Sequence, residues 1–252
     1  MSLASDEVHL HFAYPGRITD PGLLRRYQSL LSGDELVQMS HFFSDRHRHQ
    51  YLVTRALVRT TLSAYYQVEP AEWKFTHNPF GKPGVTYPDQ QLPIRFNLSH
   101  TNGLVMCGVV RGYDIGVDVE DLQRSTHSTY ESLSRYFSKR EIEDLLELPV
   151  TQKKQRFFDY WTLKESYIKA RGMGLSIPLH KFSFLFQGNR LSEFSIHPDL
   201  NDSARSWRFW RTQIDGRYLI AVATKSTDND LVLSAVNSVP LQNSKPIPLV
   251  FL

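Results

Sequence analysis

Two segments carry residue types that can do chemistry together. "GVDVED" places carboxylates at Asp118 and Glu120, and "FDYWTLKESYIKARGMGL" places Glu165 and Lys169 four residues apart. On a strand, side chains at i and i+2 share a face, so Asp118 and Glu120 project together, about 6 to 7 Å apart, with Val117 and Val119 opposite. Carboxylates that close repel each other unless a cation lies near them. With oxygen donors only, and no His or Cys in the segment, the cation that suits them is hard. Mg²⁺ is the type: it takes one or two carboxylates and completes its shell with phosphate oxygens and water. Alone, the same segment is equally a polar strand end running into a turn at Asp121. Glu165 and Lys169 are neighbours on one helix face, where an i,i+4 pair is equally surface decoration worth a few tenths of a kcal/mol. A helix closed by Gly172 and Gly174 and packed beside the strand end would instead set the pair at a cleft.

Two further pieces suit an anion such as phosphate. "NLSHTNG" is expected to hold Ser99 and His100 in a turn after a strand, where a hydroxyl, an imidazole and backbone N–H groups can donate to one ligand. "NPFGKPG" projects the Lys82 ammonium from a loop stiffened by its neighbours. Arg48, Arg55 and Arg59 fall on one helix face with Leu52, and either reach an anion or are solvated. A serine next to a histidine does not make a hydrolase, because neighbours on a chain rarely aim at each other and no Gly-x-Ser-x-Gly elbow is present.

These groups need elements to hold them. "VHLHFAY" alternates as an opening strand, and the apolar periodicity predicts one long helix from Val37 to Tyr66. "THNPFGKPGVTYPDQQLP" is too rich in Gly, Pro and Asn to be regular. "IRFNLSH", "LVMCGVVRG" and "YDIGVDVED" read as strands, followed by a helical block from Thr129 to Leu148 and a helix from Lys153 to Arg171. "KFSFLF", "FSIHP", "SWRFWRTQI" and "YLIAVAT" add strands, and the proline-rich end is expected to wrap on the surface as a tail. Each half runs long helix, then strands. The expected class is α+β, with an N-terminal lobe over 1–115, a C-terminal lobe over 116–235 and a tail over 236–252.

Composition excludes several classes. With 252 residues, 41% of them hydrophobic, the chain can bury a sizeable core. It has no apolar run long enough to span a bilayer and no signal-peptide pattern at its start, so a cytoplasmic protein is expected. One cysteine, Cys107, excludes an internal disulfide and is expected to be buried. A formal charge of +3 falls short of the basic stripe of a duplex-DNA binder but suits an anionic ligand.

In order and spacing, "FGKPGV", "FNLSHTNG", "IGVDVED" and "WTLKESYIKARGMGL" resemble the 4′-phosphopantetheinyl transferases of the surfactin-synthetase-activating (Sfp) type, from about Phe42 to Thr224. The resemblance implies a pseudo-dimer of two similar α+β lobes, each a small antiparallel sheet on a long helix. It implies Mg²⁺ on Asp118, Glu120 and Glu165, and coenzyme A, as substrate, against Lys82, Ser99, His100 and Lys169. Where the family often carries a basic residue before the first long helix for the 3′-phosphate, this chain has only His41; Arg46, Arg48 and Arg55 are the candidate substitutes, with Arg55 preferred. The reaction implied moves the phosphopantetheinyl arm onto a serine of an apo acyl or peptidyl carrier protein, with Glu165, Lys169 and His100 catalytic. The enzyme is expected to be a monomer that binds neither nucleic acid nor membrane. Its carrier is expected to dock on "RYFSKREI", with Arg135, Lys139 and Arg140 facing an acidic helix and Phe137 as apolar anchor.

Two rivals stand beside it. A non-catalytic coenzyme A or nucleotide-binding protein has no need of Glu165 beside Lys169. A single-stranded nucleic-acid module would use Trp207 and Trp210, which strand alternation sends to opposite faces.

Overall fold

A computed structural model describes residues 3–88, 93–124, 135–226 and 230–252. Contacts divide the chain into two compact α+β units. The first comprises Met1–Asn78, Pro83–Gly112 and Asp230–Pro248, and the second Pro79–Lys82, Tyr113–Asn229 and Leu249–Leu252.

In the first unit, α1 (Pro21–Gln28), α2 (Gly33–Ser40) and α3 (Asp45–Ser63) accompany a five-stranded sheet. Its order is β12 (Asn243–Pro246), β11 (Val232–Val239), β1 (Glu7–Ala13), β5 (Leu104–Arg111), β4 (Ile94–Thr101). The single long helix expected from Val37 to Tyr66 is two. Ser32 opens α2 with a capping box, its hydroxyl accepting from the Glu35 N–H while Glu35 accepts from the Ser32 N–H. Ser44, extended at φ −90°, then restarts the chain as α3. Helix α3 buries Leu52, Val53, Ala56 and Leu57 in one cluster with Val105, Cys107 and Val109 of β5. The loop expected between Thr76 and Pro93 contains a hairpin instead, β2 (Lys74–His77) with β3 (Pro83–Tyr87).

The expected boundaries near 115 and 235 miss how the chain closes. Strand β11 pairs in parallel with β1, making this sheet mixed rather than purely antiparallel, and β12 extends it beyond β11. Part of the proline-rich end, Asn243–Pro246, is therefore edge strand in the first unit.

This sheet carries a hydrogen-bonded chain of titratable groups. Tyr65 Oη lies 2.7 Å from His9 Nδ1 and 2.8 Å from His11 Nε2, and His11 Nδ1 lies 3.4 Å from Ser238 Oγ. Burial, then the neighbouring His9, pushes the His11 imidazole down to about 4. The unfolded chain takes up that proton near pH 6.5 while the folded chain stays neutral until near 4, so the stabilisation is complete above 6.5 and is lost as pH falls toward 4. Between pH 7.5 and 5 this group should remove about 2 kcal/mol. Urea unfolding at both pH values should show that loss in the wild type and a smaller one in His11→Gln. Equal losses would place the acid sensitivity elsewhere.

In the second unit the sheet order is β13 (Val250–Phe251), β9 (Trp207–Ile214), β10 (Tyr218–Lys225), β6 (Ile115–Asp121), with a separate hairpin of β7 (Phe182–Gln187) and β8 (Arg190–Ile196). Helices α4 (Lys139–Glu147) and α5 (Val150–Arg171) complete it. The expected helical block began at Thr129, and its positions 129–134 lie outside the described residues. Gly172, left-handed at φ 64°, ends α5 and returns its N–H to the Ile168 carbonyl. Tyr167, Phe182, Phe184 and Trp207 are buried together on the inner side of α5. Trp207 is thus core, as strand alternation predicts. Phe137 is core too, at 1% exposure, which removes it as a docking anchor.

Helix α5 comes unusually close to β6. A Cβ built on Gly116 would lie 2.0 Å from the Ser166 carbonyl oxygen and 2.3 Å from the Ala170 nitrogen, distances no side chain tolerates. Gly116→Ala must therefore push helix from strand and should cost about 3 kcal/mol or more, at the upper end for overpacking. Gly84→Ala is the control, since nothing lies within 4 Å of its added methyl. Denaturant unfolding should separate the two; equal stabilities would mean that α5 does not rest on Gly116.

Candidate active site

Strand β6 is buried along its whole length, so Asp118 and Glu120 are not the exposed strand end that their segment alone allowed. Both sit in the antiparallel ladder with β10, Asp118 opposite Ala221 and Glu120 opposite Leu219. Across the Gly116 contact, α5 presents Glu165 and Lys169. The Lys169 ammonium donates to Asp118 Oδ1 at 2.6 Å, joining the helix pair to the strand pair. Lys169 of the i,i+4 pair is therefore bonded to the strand and not left on open surface.

The electrostatics of the group are those of crowded negative charge. Burial, then the charge of Asp118, raises the Glu120 carboxyl to about 7, against the opposing pull of Arg124 and Lys169 and a hydrogen bond from Trp161. Burial, then Asp118 again, raises Glu165, while Lys169 lowers it. Arg124 Nη1 meets Glu120 Oε2 at 3.1 Å from a largely exposed position. Asp118 thus repels both Glu120 and Glu165, and repulsion of that kind is what a hard cation relieves. Among the described residues no group of three or more acid, histidine or cysteine side chains is closed tightly enough to hold a metal ion.

The remaining expected residues fall as follows. Ser99 and His100 are not in a turn: β4 runs to Thr101, pairing Ser99 with Met106 and His100 with Val105, and only Asn102 and Gly103 form the bend. Ser99 is buried and His100 exposed, as alternation requires. Both belong to the first unit, whereas Lys82 belongs to the second. Lys82 directs its ammonium to two backbone carbonyls, Ala170 at 2.8 Å and Ile115 at 3.1 Å.

Each arginine of that helix face has a carboxylate partner. Arg48 pairs with Asp45, and Arg55 and Arg59 both pair with Glu35, Arg55 Nε donating to Glu35 Oε1 at 2.6 Å. Arg59 is buried, held further by the Trp73 carbonyl at 2.8 Å. Arg55 does line a cavity of about 790 Å³ in the first unit with Tyr51, Lys74 and His77. Gly116 and Arg124 were missed. A lone glycine inside an apolar strand is the usual mark of a close backbone approach and could have exposed the first.

Residues 114–223 match the family model of the 4′-phosphopantetheinyl transferase superfamily, and residues 22–109 match that of the 4′-phosphopantetheinyl transferase N-terminal region. The 4′-phosphopantetheinyl transferase HetI of Nostoc sp. strain PCC 7120 is 39% identical over 70% of this chain and 73% of its own. The 4′-phosphopantetheinyl transferase Sfp of Bacillus subtilis is 32% identical over 81% of this chain and 86% of its own. With both segments matched in order and identity sustained over most of both chains, this chain belongs to the 4′-phosphopantetheinyl transferases, of the Sfp type.

Proposed function

We propose that this transferase takes the 4′-phosphopantetheinyl group from coenzyme A and places it on a serine hydroxyl of an apo carrier protein, releasing adenosine 3′,5′-bisphosphate, in a Mg²⁺-dependent reaction. The observation that carries the reading is the joining of Lys169 to Asp118 across the Gly116 contact, which sets the strand bearing Asp118 and Glu120 against the helix bearing Glu165 and Lys169. Asp118, Glu120 and Glu165 would hold Mg²⁺, whose charge neutralises the pyrophosphate and makes its phosphorus open to attack. The serine oxygen bonds to the phosphorus that carries the pantetheine arm, and the bond from that phosphorus to the bridging oxygen breaks. Glu165 is the base for the serine proton, its carboxyl raised by burial and by Asp118. Lys169 offsets the charge that grows on the departing 5′-phosphate, and His100 adds to the neutralisation. Ser99, His100 and Arg55 bind coenzyme A, Arg55 from the cavity it lines with Lys74 and His77.

An exposed Lys139 and Arg140 on α4 suit an acidic carrier helix, although Arg140 already meets Glu193 at 3.0 Å. Among the described residues no helix is long and apolar enough to cross a membrane. We place the enzyme in the cytoplasm as a monomer.

The acceptor is tested by product analysis. With coenzyme A, Mg²⁺ and apo carrier, adenosine 3′,5′-bisphosphate should appear in step with holo carrier, and a carrier whose serine is replaced by alanine should release none. Equal release with that carrier would mean hydrolysis of coenzyme A rather than transfer.

A further inference from the structure

We propose that Lys82 is a positioning residue, whose ammonium ties the start of β6 to the last turn of α5 and so sets Asp118 and Glu120 against Glu165 and Lys169. The proposal rests on the carboxylate site described above. Lys82 Nζ donates to the Ala170 carbonyl, one residue beyond Lys169, and to the Ile115 carbonyl, three residues before Asp118. Ala170 lies among the last four residues of α5, whose carbonyls have no partner within the helix. A cation there meets both that deficit and the negative end of the helix dipole.

The placement is local to the tightest packing in the second unit. Ala170 and Ile115 flank Gly116, where strand and helix backbones meet. That contact fixes how near the two elements come but leaves the helix able to slide or rotate on a smooth glycine. A cation bridging one carbonyl from each element fixes the remaining freedom. Its presentation is stiff: Gly81 is left-handed at φ 88°, and Pro83 confines Lys82 to extended backbone. A compact ammonium with three donors can serve two converging carbonyls, whereas a flat guanidinium fits them poorly. Metal affinity depends on ligand positions at the level of a few tenths of an ångström, so a clamp of this kind acts on the ion without touching it.

The test measures Mn²⁺ binding by electron paramagnetic resonance and coenzyme A binding by calorimetry in EDTA, for wild type, Lys82→Met and Lys82→Arg. Lys82→Met should weaken Mn²⁺ binding roughly 10- to 100-fold, as loss of a supporting residue does, with coenzyme A affinity in EDTA held within about twofold. Lys82→Arg should also weaken Mn²⁺ binding and keep coenzyme A affinity, which keeps the test usable if Lys82→Met does not fold. Loss of coenzyme A affinity with Mn²⁺ binding intact would make Lys82 a ligand clamp and overturn the proposal. So would Mn²⁺ binding unchanged in both variants. If the wild type itself bound no Mn²⁺, the carboxylate site would fail and take this proposal with it, an outcome the wild-type arm alone identifies.

Discussion

Asp118→Ala should abolish transfer and leave the fold standing. Its carboxylate is the point of contact between strand and helix, 2.6 Å from Lys169, and its charge is felt by both Glu120 and Glu165. Removing it takes away the most buried ligand of the proposed cation and one source of repulsion among the acids. Lys169 loses its partner but is 27% exposed and keeps Glu165 one turn away, so no isolated buried charge remains. Unfolding free energy should therefore change by no more than about 1 kcal/mol. Asp118→Asn keeps the shape and loses the charge, and it should be equally inactive. Circular dichroism with a turnover assay checks both, and turnover near wild type in either variant would remove Asp118 from the reaction.

Lys169→Ala should lower kcat by roughly 10²- to 10⁴-fold, the range of a positioned acid or charge, and change coenzyme A affinity far less. Charge on the departing 5′-phosphate grows only as the bond breaks, so an ammonium aimed there lowers the barrier rather than KM. The resting structure sharpens this expectation. The ammonium donates to Asp118, so to serve the leaving group it must exchange that partner for the phosphate. Removing it makes the carboxylate group more negative, and Mg²⁺ half-saturation should fall rather than rise. Lys169→Arg keeps the charge in a larger, planar form and should recover part of the rate. Calorimetry alongside steady-state kinetics decides: coenzyme A binding lost in proportion to kcat would make Lys169 a ground-state clamp.

The faces that carry the strand acids and the helix pair were legible because both spacings are local. An i,i+2 pair on a strand and an i,i+4 pair on a helix fix which side chains share a face, whatever the rest of the chain does. Ser99 and His100 were misplaced into a turn because Asn102-Gly103 was read as a loop signal for its neighbours. A two-residue Asn-Gly bend is instead the mark of a tight hairpin whose strands continue to its edge, and pairing of Thr101 with Leu104 follows. The break between α2 and α3 carries no proline or glycine, and only Ser44 before Asp45 marks it. Pairing of β1 with β11 joins residues more than two hundred positions apart, and local periodicity holds no record of such a partner. The arginine face was real as a face, but Glu35, which holds two of its three members, lies on the preceding helix and outside the pattern that defined it.

The central claim, Mg²⁺-dependent transfer from coenzyme A to a carrier serine, is tested most directly by intact-mass spectrometry of several apo carrier proteins incubated with the wild-type protein and coenzyme A. With Mg²⁺ at least one carrier should gain the mass of one phosphopantetheinyl group, located on its serine by fragmentation, and with EDTA none should. Carriers unmodified under every condition, or modified equally in EDTA, would contradict the account.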